Sequence, residues 1–387
     1  MKYKLKDIAE IIAGGTPSTK MEQYWNGEIA WITPKDLANH SGRYISRGER
    51  NITKEGLENS STKLMPINSV LFTSRAPIGY VAIAKNQVCT NQGFKSLVCK
   101  DSICYYMYIY YWLIYNTDYI KSKANGSTFQ EISTNVMKEI EIDLPSIDYQ
   151  KKVANILKKI DEKIELNNQI NDNLFELIND LYKESFRNIE GYKQADEIAN
   201  ITIGKTPPRS NRECFTYNED DIKWLSISDL GKCGMYAWNT SEKLTEDSVN
   251  KYNVKVIPEN TIVLSFKLTI GRIAITANEM ATNEAIAHFN LLDNDMIYYL
   301  YFYLKNFDYS KLGNTSSIAT AVNSKIIKAM PIGIPNKHSV LEFNNTVRPL
   351  FEKIKLNEEQ NMTLTQLRDN LLPKLMNGEI DLDKIEI

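Results

Sequence analysis

The sequence predicts an α+β fold in which two duplicated domains are separated by two long helices that form an antiparallel coiled coil, in a pseudo-twofold arrangement. Three observations carry that expectation. The two halves of the chain repeat one another block by block, each repeat runs into a long segment with heptad spacing, and each contains short β-type runs punctuated by Gly, Pro and Asn.

The repeat is of domain size. GGTPST at 14–19 returns as GKTPPR at 204–209, IAWITPKDL at 29–37 as IKWLSISDL at 222–230, and MPINSVLFTSRAPIGYVAIA at 65–84 as IPENTIVLSFKLTIGRIAIT at 257–276. TNQGF at 90–94 returns as TNEAI at 282–286, YYMYIYY at 105–111 as YYLYFYL at 298–304, and VMKEIEIDLP at 136–145 as IIKAMPIGIP at 326–335. Offsets of 190 to 193 residues are far too long for a solenoid and point to a tandem duplication. The expected organisation is a first domain over 1–145, a long helix over 146–190, a second domain over 191–335, and a second long helix with a C-terminal tail over 336–387.

The opening MKYKLKDIAEIIAGG carries Asp7 and Glu10 where a signal peptide would need an apolar core, so it reads as a strand or helix entering a fold. Runs at Ser69–Thr73, Tyr80–Ala84, Thr261–Ser265 and Ile273–Thr276 read as strands joined by turns, in a largely antiparallel sheet. The Tyr-rich run Ile103–Tyr115 falls short of the roughly 20 apolar residues of a membrane span and reads as a buried helix whose hydroxyls need partners.

In the first long segment a seam alternates steps of four and three: Val153, Leu157, Ile160, Ile164, Asn167, Asn171, Leu174, Ile178, Leu181. The second runs Val347, Leu350, Ile354, Asn357, Asn361, Leu364, Arg368, Leu371. If the helices lie antiparallel with residue numbers summing to 528, Ile164 faces Leu364, Leu174 faces Ile354, Ile178 faces Leu350, Leu181 faces Val347 and Leu157 faces Leu371. The polar layers then coincide, Asn167 with Asn361 and Asn171 with Asn357. A slip would set an amide against an aliphatic, at about 1–3 kcal/mol for each unsatisfied group. Ile160 opposite Arg368 is the misfit. The alternative is that each helix packs on its own domain with the asparagines solvated. A helix over 148–187 would span about 60 Å, a ruler comparable with one or more ~34 Å turns of B-DNA.

Composition bounds function. The 387 residues are 43% hydrophobic and 24% charged, an ordinary globular balance. The net charge is -2; residues 1–145 hold 17 Lys+Arg against 14 Asp+Glu, a net +3, and 191–335 hold 15 against 16, a net -1. Any nucleic-acid role therefore rests on small local patches or on surface supplied by partners. Five Cys, at 89, 99, 104, 214 and 233, have no CxxC spacing, and only three His occur, so neither a disulfide framework nor a metal site is expected and a cytoplasmic location fits. GKT at 204–206 lacks the first Gly of a phosphate loop, since residue 199 is Ala, and no Asn/Asp-Pro-Pro-Tyr/Phe motif or dinucleotide Gly-rich loop occurs. His40, His288 and His338 are isolated in sequence, so no catalytic residues are assigned and the chain is not expected to be an enzyme.

The GGTPST and IAWITPKDL blocks, SRAPIGYVAIA followed by TNQGF, GSTFQEIS leading to IDLP, and the terminal LRDNLLPKLMNGEI at 367–380, in this order and with two intervening helices, resemble the specificity subunits of Type I restriction-modification systems over nearly the whole chain. The resemblance implies two target recognition domains, each reading half of a bipartite target in double-stranded DNA, with the helices setting the unread spacer and docking two modification (methyltransferase) subunits. It implies restriction (translocase/nuclease) subunits reached through the complex, no cofactor on this chain, S-adenosylmethionine and ATP on the partners, and no membrane. The second half departs from the pattern, with Ser265, Phe266, Lys267 and Leu268 near where the first has Ser74, Arg75, Ala76 and Pro77.

Loops that bring Ser/Thr, Asn/Gln and Arg/Lys together suit base-edge reading and phosphate positioning. The candidate DNA-binding residues are Thr73, Ser74, Arg75, Asn91, Gln92, Lys95, Ser127, Thr128 and Gln130 in the first domain. In the second they are Lys205, Arg209, Arg212, Lys267, Arg272, Asn283 and Ser316. The competing structural reading is that these loops are turn chemistry, with Asn91 and Asn283 capping backbone groups. An autonomous two-headed DNA-binding regulator and a pure coiled-coil scaffold are the alternative functions.

Overall fold

The computed structural model of the chain describes every residue except 41, 126–129, 190, 313–321, 381 and 383–387. The chain divides into two compact units, Met1–Glu165 with Thr363–Ile387, and Leu166–Met362. The two long helices, Ile147–Ser185 and Lys337–Met376, therefore contribute residues to both.

In the first unit a five-stranded sheet has the order Ala9–Ala13, Lys95–Cys99, Val70–Ser74, Ile78–Ala84, Tyr44–Ile45. A three-stranded sheet has the order Arg50–Ile52, Trp25–Ile32, Val88–Thr90, and Lys2–Lys4 pairs with Glu141–Asp143. The second unit repeats the plan. Its first sheet runs Ala199–Ile203, Ile286–Leu291, Ile262–Ser265, Ile273–Thr276, Tyr236–Ala237, and Gly191–Gln194 pairs with Pro331–Ile334. Its remaining sheet runs Phe215–Thr216, Glu242–Leu244, Ile222–Leu225, Met280–Thr282, Val256–Ile257. Most pairings are antiparallel, but each head has two parallel ones: Tyr44–Ile45 with Ile78–Ala84 and Trp25–Ile32 with Val88–Thr90, and their counterparts in the second head. The parallel partners lie about 40 to 60 residues apart in the chain, which is why local spacing did not reveal them.

The Tyr-rich segments are helices at Tyr106–Tyr115 and Ile297–Asn306, packed into the core of their own units. Three of their hydroxyls find partners as the sequence demands: Tyr111 donates to Asp161 at 2.6 Å, Tyr299 to the Gly333 carbonyl at 2.7 Å and Tyr303 to the Pro331 carbonyl at 2.9 Å.

In the first unit Val153, Ala154 and Leu157 share one core with Leu372 and Leu375, and Leu371 is only partly buried at its edge. In the second, Ile178, Val347 and Ile354 are buried together, with Leu174, Leu181 and Leu350 packed against them. Phe351, off the seam, is fully buried against Tyr298, Tyr301 and Phe302, because this helix carries one face to the other helix and one to its head. The polar layers meet in the second unit. Asn167 Nδ2 donates to Asn361 Oδ1 and Gln360 Oε1, both at 2.8 Å, Asn357 Nδ2 donates to Asn171 Oδ1 at 2.8 Å, and Asn361 Nδ2 continues to Asn168 Oδ1. Arg368, the misfit of the seam, turns to the buried Asp161, with Nη1 3.0 Å from Oδ1.

Replacing Asn171 by Leu strands the buried Asn357 amide and is expected to destabilise the second unit by about 1–3 kcal/mol, whereas Asn171→Leu with Asn357→Leu should recover most of that loss. Chemical denaturation of the four members of this double-mutant cycle measures the coupling.

Candidate nucleic-acid interface

In the first head the strands Val70–Ser74 and Ile78–Ala84 are joined by a tight loop. Thr73 Oγ1 donates to the Pro77 carbonyl and accepts from the Tyr80 amide, both at 2.8 Å. Ser74 is buried, with its amide and hydroxyl on the Gly93 carbonyl. These two residues build the loop from inside. Arg75 leaves it half-buried and lines a cleft of about 740 Å³ together with Thr117, Lys121, Gln130 and Glu131. Glu131 gathers the cations: Arg75 Nη1 at 3.2 Å and the buried Lys95 Nζ at 3.3 Å, Lys95 also reaching Ser74 Oγ. Gln130 is exposed at the same rim; Ser127 and Thr128 lie outside the described residues.

A second loop lies against the first through the Ser74–Gly93 contact. Asn91 Oδ1 accepts from the Gly93 amide at 2.9 Å, and a side chain at Gly14 would collide with the Asn91 carbonyl oxygen. The Thr16 hydroxyl hydrogen-bonds the exposed Gln92 side chain, and the Trp31 indole donates to the Gly15 carbonyl at 2.9 Å. The second head rebuilds this: Asn283 Oδ1 accepts from the Ala285 amide at 3.0 Å, Gly204 abuts the Asn283 carbonyl, and the Trp224 indole donates to the Lys205 carbonyl at 3.2 Å. Thr206 hydrogen-bonds Glu284, so a carboxylate stands where the first head has the Gln92 amide. Sequence comparison of TNQGF with TNEAI held that signal, although Glu284 was not among the candidates.

The second hairpin is closed by Ser265, whose hydroxyl donates to the Thr269 carbonyl and accepts from the Arg272 amide, the latter at 3.0 Å. Phe266 is buried beneath it and Lys267 is exposed. Arg272 is committed to the fold, with Nη1 2.7 Å from the Ile227 carbonyl and its guanidinium over Gly231. Arg209 lies over the rings of Phe215 and Trp224, at 4.0 and 4.8 Å, and Nη1 meets both Glu242 carboxylate oxygens at 2.8 and 2.9 Å. Lys205 and Arg212 are exposed. Ser316 lies outside the described residues. His288 is enclosed between Thr202 and Thr282, and burial pushes its pKa down to about 4, so it is a neutral core residue.

Each head is anchored to a helix by a carboxylate that sequence reasoning missed. In the first unit Glu165 receives the Arg43 backbone amide, Nε and Nη2, the last two at 3.1 Å, beside the Asp161–Arg368–Tyr111 cluster. In the second, Glu358 receives the Met235 amide at 2.8 Å, the Tyr236 amide at 3.2 Å and the Trp238 indole at 2.9 Å. Burial pushes the Glu358 carboxyl up, and these three donors pull it part of the way back.

Two heads of one plan, each carrying polar and basic loops and a helix-borne carboxylate seat, define a duplicated recognition module. The family model described as the Type I restriction modification DNA specificity domain matches residues 1–176 and 190–366. The chain is 36% identical to the Type I restriction enzyme MjaIX specificity subunit of Methanocaldococcus jannaschii, across 99% of this chain and 94% of that one. It is 24% identical to the HindI specificity subunit of Haemophilus influenzae across 68% and 74%. Its fold resembles the crystal structure of a Type I S subunit from M. genitalium, with a TM-score of 0.58 at 16% identity, covering 97% of this chain and 95% of that one. The chain belongs to the Type I restriction-modification specificity subunit family.

Glu358→Ala leaves three donors without their acceptor and should destabilise the second unit by about 2–4 kcal/mol, since each unsatisfied group costs roughly 1–3 kcal/mol. Hydrogen exchange at Met235 and Tyr236, compared between wild type and variant, reads the loss locally.

Proposed function

We propose that this chain is the sequence-specific DNA-recognition subunit of a Type I restriction-modification complex, each head reading one half of a bipartite target. The observation that carries the reading is the family match repeated over both heads, on a fold whose loops are built alike and tipped differently. Base edges in the major groove offer distinct donor and acceptor patterns, and the exposed Gln92, Gln130, Lys205, Arg212 and Lys267, with Arg75 and Arg209, supply groups that pair with them or with phosphates. Two of these cations are already paired, Arg75 with the Glu131 it shares with Lys95 and Arg209 with Glu242, so DNA must exchange one ion pair for another there. That exchange keeps the electrostatic, sequence-independent share of binding small and fits a subunit whose grip is completed by partners.

The chemistry belongs elsewhere in this reading. The chain itself is non-catalytic and binds no cofactor; two modification subunits dock on the helices and bring S-adenosylmethionine, restriction subunits bring ATP, and the complex works in the cytoplasm, on host DNA. The paired helices set the spacer between the two half-sites.

Long-read mapping of methylated bases in cells with and without this gene tests the reading. Loss of N6-methyladenine at one split motif is the expected outcome. An unchanged map, with partner genes expressed, would favour an autonomous regulator or a scaffold instead.

A further inference from the structure

The hairpin of each head carries, directly after a cation, an apolar residue with a left-handed backbone: Ala76 after Arg75, with φ +52°, and Leu268 after Lys267, with φ +62°. Gly or Asn suits such a position, and a branched side chain is strained there. Leu268 is also 94% exposed, the most exposed large hydrophobic among the described residues. It therefore carries two costs, a strained backbone and a wetted apolar surface, with no compensating burial among the described residues. The loop under it is firm: Phe266 is buried, Ser265 bridges Thr269 and Arg272, and Gly271, at φ +89°, lies against the Tyr309 ring. Strain held on a rigid base points outward, to a contact made when the site is occupied.

We propose that Leu268 is a specificity-determining residue that packs against the C5-methyl group of a thymine in the half-site read by the second head. The proposal rests on the DNA-recognition reading above. A leucine has no hydrogen-bonding group, and the one apolar feature that a base edge presents in the major groove is the thymine methyl. Lys267, next to it, supplies the charge for a phosphate or a guanine edge. In the first head the equivalent pair is Arg75 and Ala76, so the same device recurs there with a shorter side chain.

The test uses the complex assembled with its modification subunits and a duplex carrying the split motif defined by the methylation map. Each thymine in turn is replaced by deoxyuridine, which removes the methyl group and leaves base pairing intact. Wild type should lose about fourfold in affinity at one thymine of one half-site, the size expected for one buried methyl. Leu268→Ala and Leu268→Gly should both lose that sensitivity. The glycine variant relieves the left-handed strain, so its Tm should not fall, which separates lost recognition from lost folding. Indifference of wild type to every deoxyuridine, retained sensitivity in the two variants, or a half-site without thymine would overturn the proposal. So would weakened capture of the modification subunits by Leu268→Ala with DNA discrimination intact, which would make this loop a protein contact. A failure of the DNA-recognition reading shows separately, as an unchanged methylation map.

Discussion

Two asparagine layers fix the register of the two long helices where they run together in the second unit. Asn167 Nδ2 donates to Asn361 Oδ1 and Asn357 Nδ2 to Asn171 Oδ1 at buried or half-buried positions, where aliphatic partners would leave these donors unmet; Asn167 Oδ1 has no partner among the described residues. A seam of aliphatics alone is tolerant of slippage by a turn; one with paired amides is not. Each unit has its own seat for a head: in the first Arg368 meets Asp161, beside the Glu165 that takes Arg43, and in the second Asn357 meets Asn171 next to the Glu358 that takes Met235, Tyr236 and Trp238.

On this frame the duplication separates what a head must be from what it reads. Residues that shape the loops recur: Gly14 and Gly204 under the carbonyls of Asn91 and Asn283, the indoles of Trp31 and Trp224, the Thr33–Asp36 and Ser226–Asp229 caps, and Thr73 and Ser265 closing the hairpins. The outward positions differ in chemistry: Arg75 against Lys267, Ala76 against Leu268, the Gln92 amide against the Glu284 carboxylate. Amide, carboxylate and aliphatic groups favour different base edges, which suits two heads that read unlike half-sites.

Much of this was legible in the sequence because duplication and heptad spacing are periodic signals. The repeated blocks exposed the two heads, and the Asn residues in both seams exposed the register. The misses have a common cause, since they involve partners remote in sequence and off the period. Arg368 looked misplaced opposite Ile160, because its true partner, Asp161, is one residue along and is held by Tyr111 from the Tyr-rich helix. Glu358 and Phe351 sit beside the seam, on the face turned to the head, where heptad arithmetic is silent. Thr73, Ser74 and Lys95, candidate DNA contacts from the sequence, are buried in the structure; polar residues at a strand end near Gly and Pro give the same local pattern whether they face solvent or brace a turn.

In the proposed division of labour the loops read and the helices measure, so the length of the helices is the quantity to change. Inserting seven residues into both long helices at matched positions preserves the seam and lengthens the pair by about 10 Å, close to three base pairs at ~3.4 Å each. Methylation mapping of cells carrying the lengthened subunit should return both original half-sites with a spacer longer by about three base pairs. Altered half-site sequences, or an unaltered spacer with methylation retained, would contradict it.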